Sequence, residues 1–174
     1  MKSINKGSEI LLNEAEIRLA RYLGKARPLS NRSAGVVDRK AAPENQDIET
    51  DAVAAEIAMC KALNVYPDLT IEPRSKGANL EVFGIKIDVK QTRLENGRLI
   101  VNAGKIQSDT HVYVLLTGEI PKFVFRGFYL KYDVFNDKWK KNFGKGDVYC
   151  VPQDELFSWP PDCVQRVVAK IDIF

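Results

Sequence analysis

The sequence is poor in the residues that build metal cages and disulfide frameworks. It holds one histidine, His111, and three cysteines, Cys60, Cys150 and Cys163, which are scattered and odd in number. No CxxC pair is present, so neither a disulfide framework nor a structural zinc site is indicated, and a lone histidine excludes a His-rich metal cluster. No apolar run approaches the roughly 18 residues that span a bilayer. The opening MKSINKGSEILL lacks a signal-peptide apolar core followed by a small-residue cleavage site. A cytoplasmic location with no membrane partner is therefore expected. No internal repeat or low-complexity tract is visible. A strong excess of one charge is also missing, since a net charge of +3 is too small to mark a nucleic-acid partner by itself.

What is there suits one folded unit. The 174 residues are 45% hydrophobic and 28% charged, the composition of an ordinary globular chain, and a single domain over 1–174 is expected. Basic charge is concentrated locally. Lys25, Arg27, Arg32, Arg39 and Lys40 stand against one acid, Asp38, and residues 131 to 145 hold five lysines against Asp133 and Asp137.

Hydrophobic spacing gives the elements. Leu11, Ala15, Leu19 and Tyr22 recur at helical intervals, predicting a helix over 8–23 with Ser8 as N-cap and Gly24 as its end. Residues 24–50 read as a long polar loop broken by Pro28, Gly35 and Pro43, and a loop of that length inside a compact domain is usually functional or disordered. A second helix is expected over 51–63 with Thr50 as its cap. Strands are expected at 69–73, 78–83, 85–92, 98–102, 111–117, 122–130 and 147–151, a short helix over 132–141, and a strand-like tail over 164–174. Helix, helix, then a strand meander argues for α+β or α/β with a mixed sheet.

The chemistry-bearing stretch is Gly77-Ala-Asn-Leu-Glu-Val-Phe-Gly-Ile-Lys-Ile-Asp-Val-Lys90. Leu80, Val82, Ile85, Ile87 and Val89 alternate with Asn79, Glu81, Lys86, Asp88 and Lys90 about Gly84, the signature of a hairpin with one packed and one polar face. Asp88 and Lys90 are two apart, so they leave one face roughly 6–7 Å apart. Phosphodiester hydrolysis needs such a set: a carboxylate to hold a divalent metal and a lysine to orient water or stabilise developing negative charge. Glu56 adds to it. Its helical neighbours are Ala52, Val53, Met59 and Cys60, so an acid interrupts an apolar stripe, and a buried carboxylate must be paired or coordinate a metal. The competing reading is a glutamate at the stripe's edge, snorkelling to solvent or salt-bridged to an arginine.

These residues resemble the PD-(D/E)xK nuclease superfamily, whose pattern is a helix bearing Glu, then a β-hairpin carrying an acid, then (D/E)-x-K on the next strand. Here the matching segments are DAVAAEIAMCKAL with Glu56, ANLEVFG with Asn79, and IDVKQTR with Asp88-Val89-Lys90. The runs SNRSAGVVDRK, ETDAVAAEIAMCKALNVYPDL and IDVKQTR are similar to uncharacterised phage-encoded members, over about residues 20 to 130. The resemblance implies a restriction-endonuclease-like core, a mixed β-sheet flanked by helices. It implies a metal-dependent nuclease acting on DNA in the cytoplasm, that of the host cell if the chain is phage-encoded. Glu56, Asp88 and Lys90 would be catalytic. Mg²⁺ (or Mn²⁺) would be bound by Glu56, Asn79, Asp88 and the Val89 carbonyl. Oligomeric state is left open, a homodimer included.

The chain departs from the family pattern at Asn79, where an acid is expected; an amide offers a carbonyl oxygen but no charge. A turn centred on Phe83-Gly84 sets Asn79 opposite Asp88, whereas one centred on Gly84-Ile85 sets Glu81 there. The second suits a turn with glycine first and spares Phe83 a positive φ. Asp68 of Pro67-Asp68 is a further candidate acid, or a turn cap. The departure keeps open a catalytically degenerate fold that binds DNA or protein. Gln91 points away from Lys90 and suits a structural role, as does His111 at the head of an apolar strand. Tyr132, Phe135, Trp139 and Phe143 recur among lysines at helical spacing, either as a core stripe or as a phosphate-contacting surface. Arg27, Arg32, Arg39 and Lys40 of the long loop are the candidate DNA contacts.

Overall fold

The computed structural model describes residues 3–33, 46–71, 78–144 and 146–159. A short strand β1 (Glu9–Leu11) comes first, followed by two helices, α1 (Glu14–Ser33) and α2 (Gln46–Leu63). The hairpin β2 (Leu80–Val82) and β3 (Ile85–Thr92) comes next. Then come β4 (Leu99–Asn102), a 3-10 turn Ala103–Gln107, β5 (Val112–Glu119) and β6 (Lys122–Leu130). The short helix α3 (Lys131–Val134), β7 (Lys140–Asn142) and β8 (Asp147–Val151) complete the order.

Helix α1 starts later and runs further than expected. Residues 9–11 pair with β6 as a strand, because Ile10 and Leu12 bury their side chains while Leu11 stays exposed. The helix is capped at Asn13, not Ser8. Asn13 Oδ1 accepts from the Glu16 N–H and Glu16 Oε2 accepts from the Asn13 N–H, a reciprocal pair that satisfies two N-terminal donors. It then passes through Gly24 and Pro28 to Ser33, so much of the expected loop is helix. Gly24 is there for packing. A Cβ at this position would lie 2.8 Å from Thr50 Oγ1 and 2.9 Å from Thr50 Cα, so the missing side chain lets α1 and α2 cross in contact. Thr50 accordingly lies inside α2, which begins at Gln46, and is not its cap.

Among the described residues the strands form two sheets. A five-stranded mixed sheet runs β1-β6-β5-β3-β2, antiparallel except for the parallel pair β3–β5, and a three-stranded sheet runs β4-β8-β7. The helices cover one face of the larger sheet. There Val53, Ile57, Cys60 and Leu63 of α2 join Ile85, Ile87, Val89, Val112, Val114 and Leu116 in one core. The smaller sheet covers the opposite face, where Leu99, Val101, Tyr149 and Val151 pack with Tyr113, Leu115 and Tyr129. This is a mixed α+β fold with a mixed sheet flanked by helices, the architecture expected in its coarse form.

Two further expectations change. Residues 69–71 are not a strand. The helix expected over 132–141 breaks after Val134 into a 3-10 turn and β7, because Asn136 Oδ1 accepts from the Lys138 N–H and Lys140 then pairs with Tyr149. The strand-like tail 164–174, Cys163 and Gly77 lie outside the described residues. No helix among the described residues is long and apolar enough to cross a membrane.

Candidate functional site

The hairpin register decides which residue faces Asp88. Val82 pairs with Ile85, Glu81 with Lys86 and Leu80 with Ile87, so the turn is Phe83-Gly84 and Asn79 falls opposite Asp88. The register that favoured Glu81 is not adopted. Phe83 takes φ 50° and Gly84 φ 80°, the pair of positive values a two-residue turn needs to match the strand twist. Phe83 tolerates this because its ring stays outside the core, 76% exposed. Glu81 is exposed and opposite a lysine. Asp68 is a turn cap: its Oδ1 accepts from the Thr70 N–H and hydroxyl.

Glu56 is held by a chain of polar contacts on the helix side. Its Oε2 accepts from Arg27 Nη1 at 3.0 Å and its Oε1 accepts from Asn79 Nδ2 at 2.7 Å. Asn79 Oδ1 in turn accepts from the Val89 N–H at 2.8 Å, replacing the strand partner that β3 lacks beyond β2. The amide therefore links the helical glutamate to the backbone of the residue next to Asp88. Arg27 is 8% exposed and donates also to the Asp68 carbonyl at 2.6 Å and the Thr70 carbonyl at 3.1 Å. Expected as a DNA contact, it is instead turned inward, because the extended α1 carries it onto the face packed against α2. Arg32 lies in the last turn of α1; Arg39 and Lys40 lie outside the described residues.

Asp88 projects from the other face of β3. It pairs with Tyr113 in the parallel register, and Tyr113 belongs to the core under the smaller sheet. Its residue exposure is 2%. Lys90 Nζ donates to Oδ1 at 2.7 Å and passes over the Tyr113 ring at 5.9 Å from its centroid. Oδ2 is buried and has no hydrogen-bond partner among the described residues. Lys105 Nζ stands 3.7 Å from it. Burial pushes the Tyr113 hydroxyl up in pKa, Ser108 opposing this by hydrogen bonding and the Asp88 charge reinforcing it. Burial likewise raises the Cys60 thiol to about 11, reinforced by the charges of Glu56 and Asp68. Cys60 therefore stays a protonated core residue at neutral pH.

Asp88 and Lys90 are thus brought together as the spacing implied. Glu56 does not join them: its contacts run through Asn79 to the Val89 N–H on the helix side of β3, with Arg27 as its ion partner. Among the described residues no three of His, Cys, Asp and Glu gather closely enough to hold a metal ion. Asp88 Oδ2 lacks a hydrogen bond but faces the Lys105 ammonium, and Asn79 and Glu56 already have protein partners. Gln91 Nε2 donates to the Gly118 carbonyl at 2.6 Å and ties β3 to the end of β5. His111 accepts from the Lys86 N–H at the start of the same sheet, and burial lowers its pKa. Sequence reading missed Arg27 as the partner of Glu56 and Lys105 as a neighbour of Asp88. Both are single basic residues with no motif, and only the packing of helices and turns marks them. Comparison with protein-family models, with curated proteins and with solved structures finds no match to this chain.

Proposed function

We propose that the chain is a metal-dependent nuclease that hydrolyses DNA phosphodiester bonds at the Asp88–Lys90 strand. The observation that carries this reading is the Asp88 carboxylate, buried, with one oxygen bonded to Lys90 and the other unsatisfied. A buried carboxylate oxygen without a hydrogen bond costs free energy unless a ligand satisfies it. In this reading Asp88 and the Val89 carbonyl would hold Mg²⁺ or Mn²⁺, while Glu56 and Asn79, engaged with Arg27 and the Val89 N–H on the helix side of β3, would brace the strand rather than ligate the ion. Such an ion, when bound, polarises the phosphoryl oxygen and lowers the pKa of coordinated water. Lys90 orients the attacking water and stabilises charge developing on the phosphate. Asn79 holds Glu56 against β3, and Arg27 balances the glutamate's charge.

Plasmid nicking with Mg²⁺ or Mn²⁺ tests the reading, run beside Lys90→Ala and Asp88→Asn. Nicking by the native chain, reduced at least about 100-fold in both variants, is expected for loss of a transition-state contact. Nicking that survives in both variants would reject the assignment.

A second reading, a degenerate nuclease fold that binds DNA or protein without cutting, is favoured by Asn79. Both ends of its amide are engaged, by Glu56 and by the Val89 N–H. Cleavage that appears only in Asn79→Asp would select this reading, and DNA binding with no cleavage in any form would do the same.

A further inference from the structure

Lys105 is the basic residue on the Asp88 face that the reading above leaves without a task. It sits on the 3-10 turn Ala103–Gln107, directly after β4. The turn is fixed at both ends: Asn102 Oδ1 accepts from the Gly104 N–H, and the Ser108 N–H donates to the Lys105 carbonyl. Lys105 Nζ is 3.7 Å from Asp88 Oδ2, beyond hydrogen-bond reach, while Lys90 Nζ bonds Oδ1 at 2.7 Å. The carboxylate therefore lies between two cations but is hydrogen-bonded by one. Both lysine side chains keep about a third of their surface exposed, 28% for Lys90 and 32% for Lys105, over an aspartate side chain at 2%. Two ammonium groups against one carboxylate leave an excess positive charge where the site meets solvent. Among the described residues the Lys105 ammonium donates no hydrogen bond, so its donors are available to an anion. An ammonium on a flexible stem suits a phosphate oxygen as a point charge.

We infer that Lys105 is a substrate-binding residue that grips a phosphate of a DNA duplex laid along the Asp88–Lys90 strand. The inference rests on the reading of this face as a DNA site, but it concerns binding and not hydrolysis.

The test measures affinity of the full chain for a short DNA duplex in EDTA, where no cleavage can occur, across a series of salt concentrations. Each phosphate contact contributes about 0.9 to the slope of log affinity against log salt. Lys105→Gln is expected to lower the slope by about 0.9 and to weaken binding roughly 5- to 10-fold at 0.1 M salt. Lys105→Arg keeps the charge and is expected to keep the slope. An unchanged slope in Lys105→Gln overturns the clamp, as does a native chain that binds no duplex. Circular dichroism of each variant separates lost contact from lost fold. The nicking assay separates the two claims. A chain that cuts DNA with an unchanged Lys105→Gln slope loses the clamp and keeps the nuclease. A chain that never cuts but loses one phosphate contact in Lys105→Gln keeps the clamp and loses the hydrolysis.

Discussion

Arg27 and Glu56 form a pair whose two members cannot be removed separately without cost. The guanidinium neutralises Glu56 and satisfies two carbonyls of the segment after α2. Arg27→Met would take the guanidinium from a largely buried carboxylate and from two carbonyls, and a loss of about 3–5 kcal/mol is expected in urea unfolding. Arg27→Lys should recover little of it, since one ammonium cannot reproduce a planar fork that reaches three acceptors. Asn79→Asp sets a second carboxylate beside Glu56 and removes the amide donor. A loss of about 1–3 kcal/mol is expected in EDTA, and Mg²⁺ should recover part of it if the site takes a cation. A variant as stable in EDTA as the native chain would show that Asn79 does not hold Glu56. Cys60 gives a pH signature. Its thiol titrates near 11, above the unfolded value, so the folded state holds the proton more tightly. That contribution is complete below about pH 8.5, the unfolded value, and lost as pH rises towards 11, because over that range the folded state binds more protons. Cys60→Ala should therefore show a shallower fall in stability over the same alkaline range.

At the level of elements, two glycine-bearing positions set the geometry on which the site depends. Gly24→Ala would gain roughly 1 kcal/mol of helix propensity in an isolated helix. In this fold its Cβ meets the backbone of Thr50 at 2.9 Å, so α1 and α2 must separate. A net loss of about 1–3 kcal/mol is expected in thermal or urea unfolding, and a gain would show that the helices do not touch there. The hairpin turn runs the other way. Phe83 holds a positive φ with its ring exposed, so Phe83→Asn relieves the backbone without emptying a core site. Asn-Gly is the favoured pair for such a turn, and a gain of about 0.5–1 kcal/mol is expected. A loss would argue for a different register, and with it a different residue opposite Asp88.

The whole molecule places a buried carboxylate between two apolar layers. The helices close one face of the larger sheet and the smaller sheet closes most of the other, which leaves β3 flanked by cores on both sides. A ligand that satisfies Asp88 in the folded state alone must stabilise the entire fold by mass action, by about 1.4 kcal/mol at ten times its dissociation constant. Differential scanning calorimetry with 10 mM Mg²⁺ is expected to show a higher midpoint in the native chain and no rise in Asp88→Asn. Equal shifts in both proteins would place any bound cation elsewhere.

The hairpin, the alternation of β3 and the adjacency of Asp88 and Lys90 were determined by sequence alone, because a period of two fixes which side chains share a face. The acid in the apolar stripe of α2 was also legible, and so was the choice it posed between an arginine partner and a metal. Tertiary structure decided the rest. Pro28 and Gly24 read locally as breakers, yet packing against α2 carries the helix through both and turns Arg27 from a surface loop into a core ion partner. Phe83 is a poor residue for positive φ, and both candidate registers align the apolar faces of β2 and β3, yet the fold adopts the one that imposes it. Lys105 carries no local signal at all. Its place beside Asp88 follows from β4 leaving the larger sheet for the smaller one, a matter of long-range strand pairing that no short window of sequence contains.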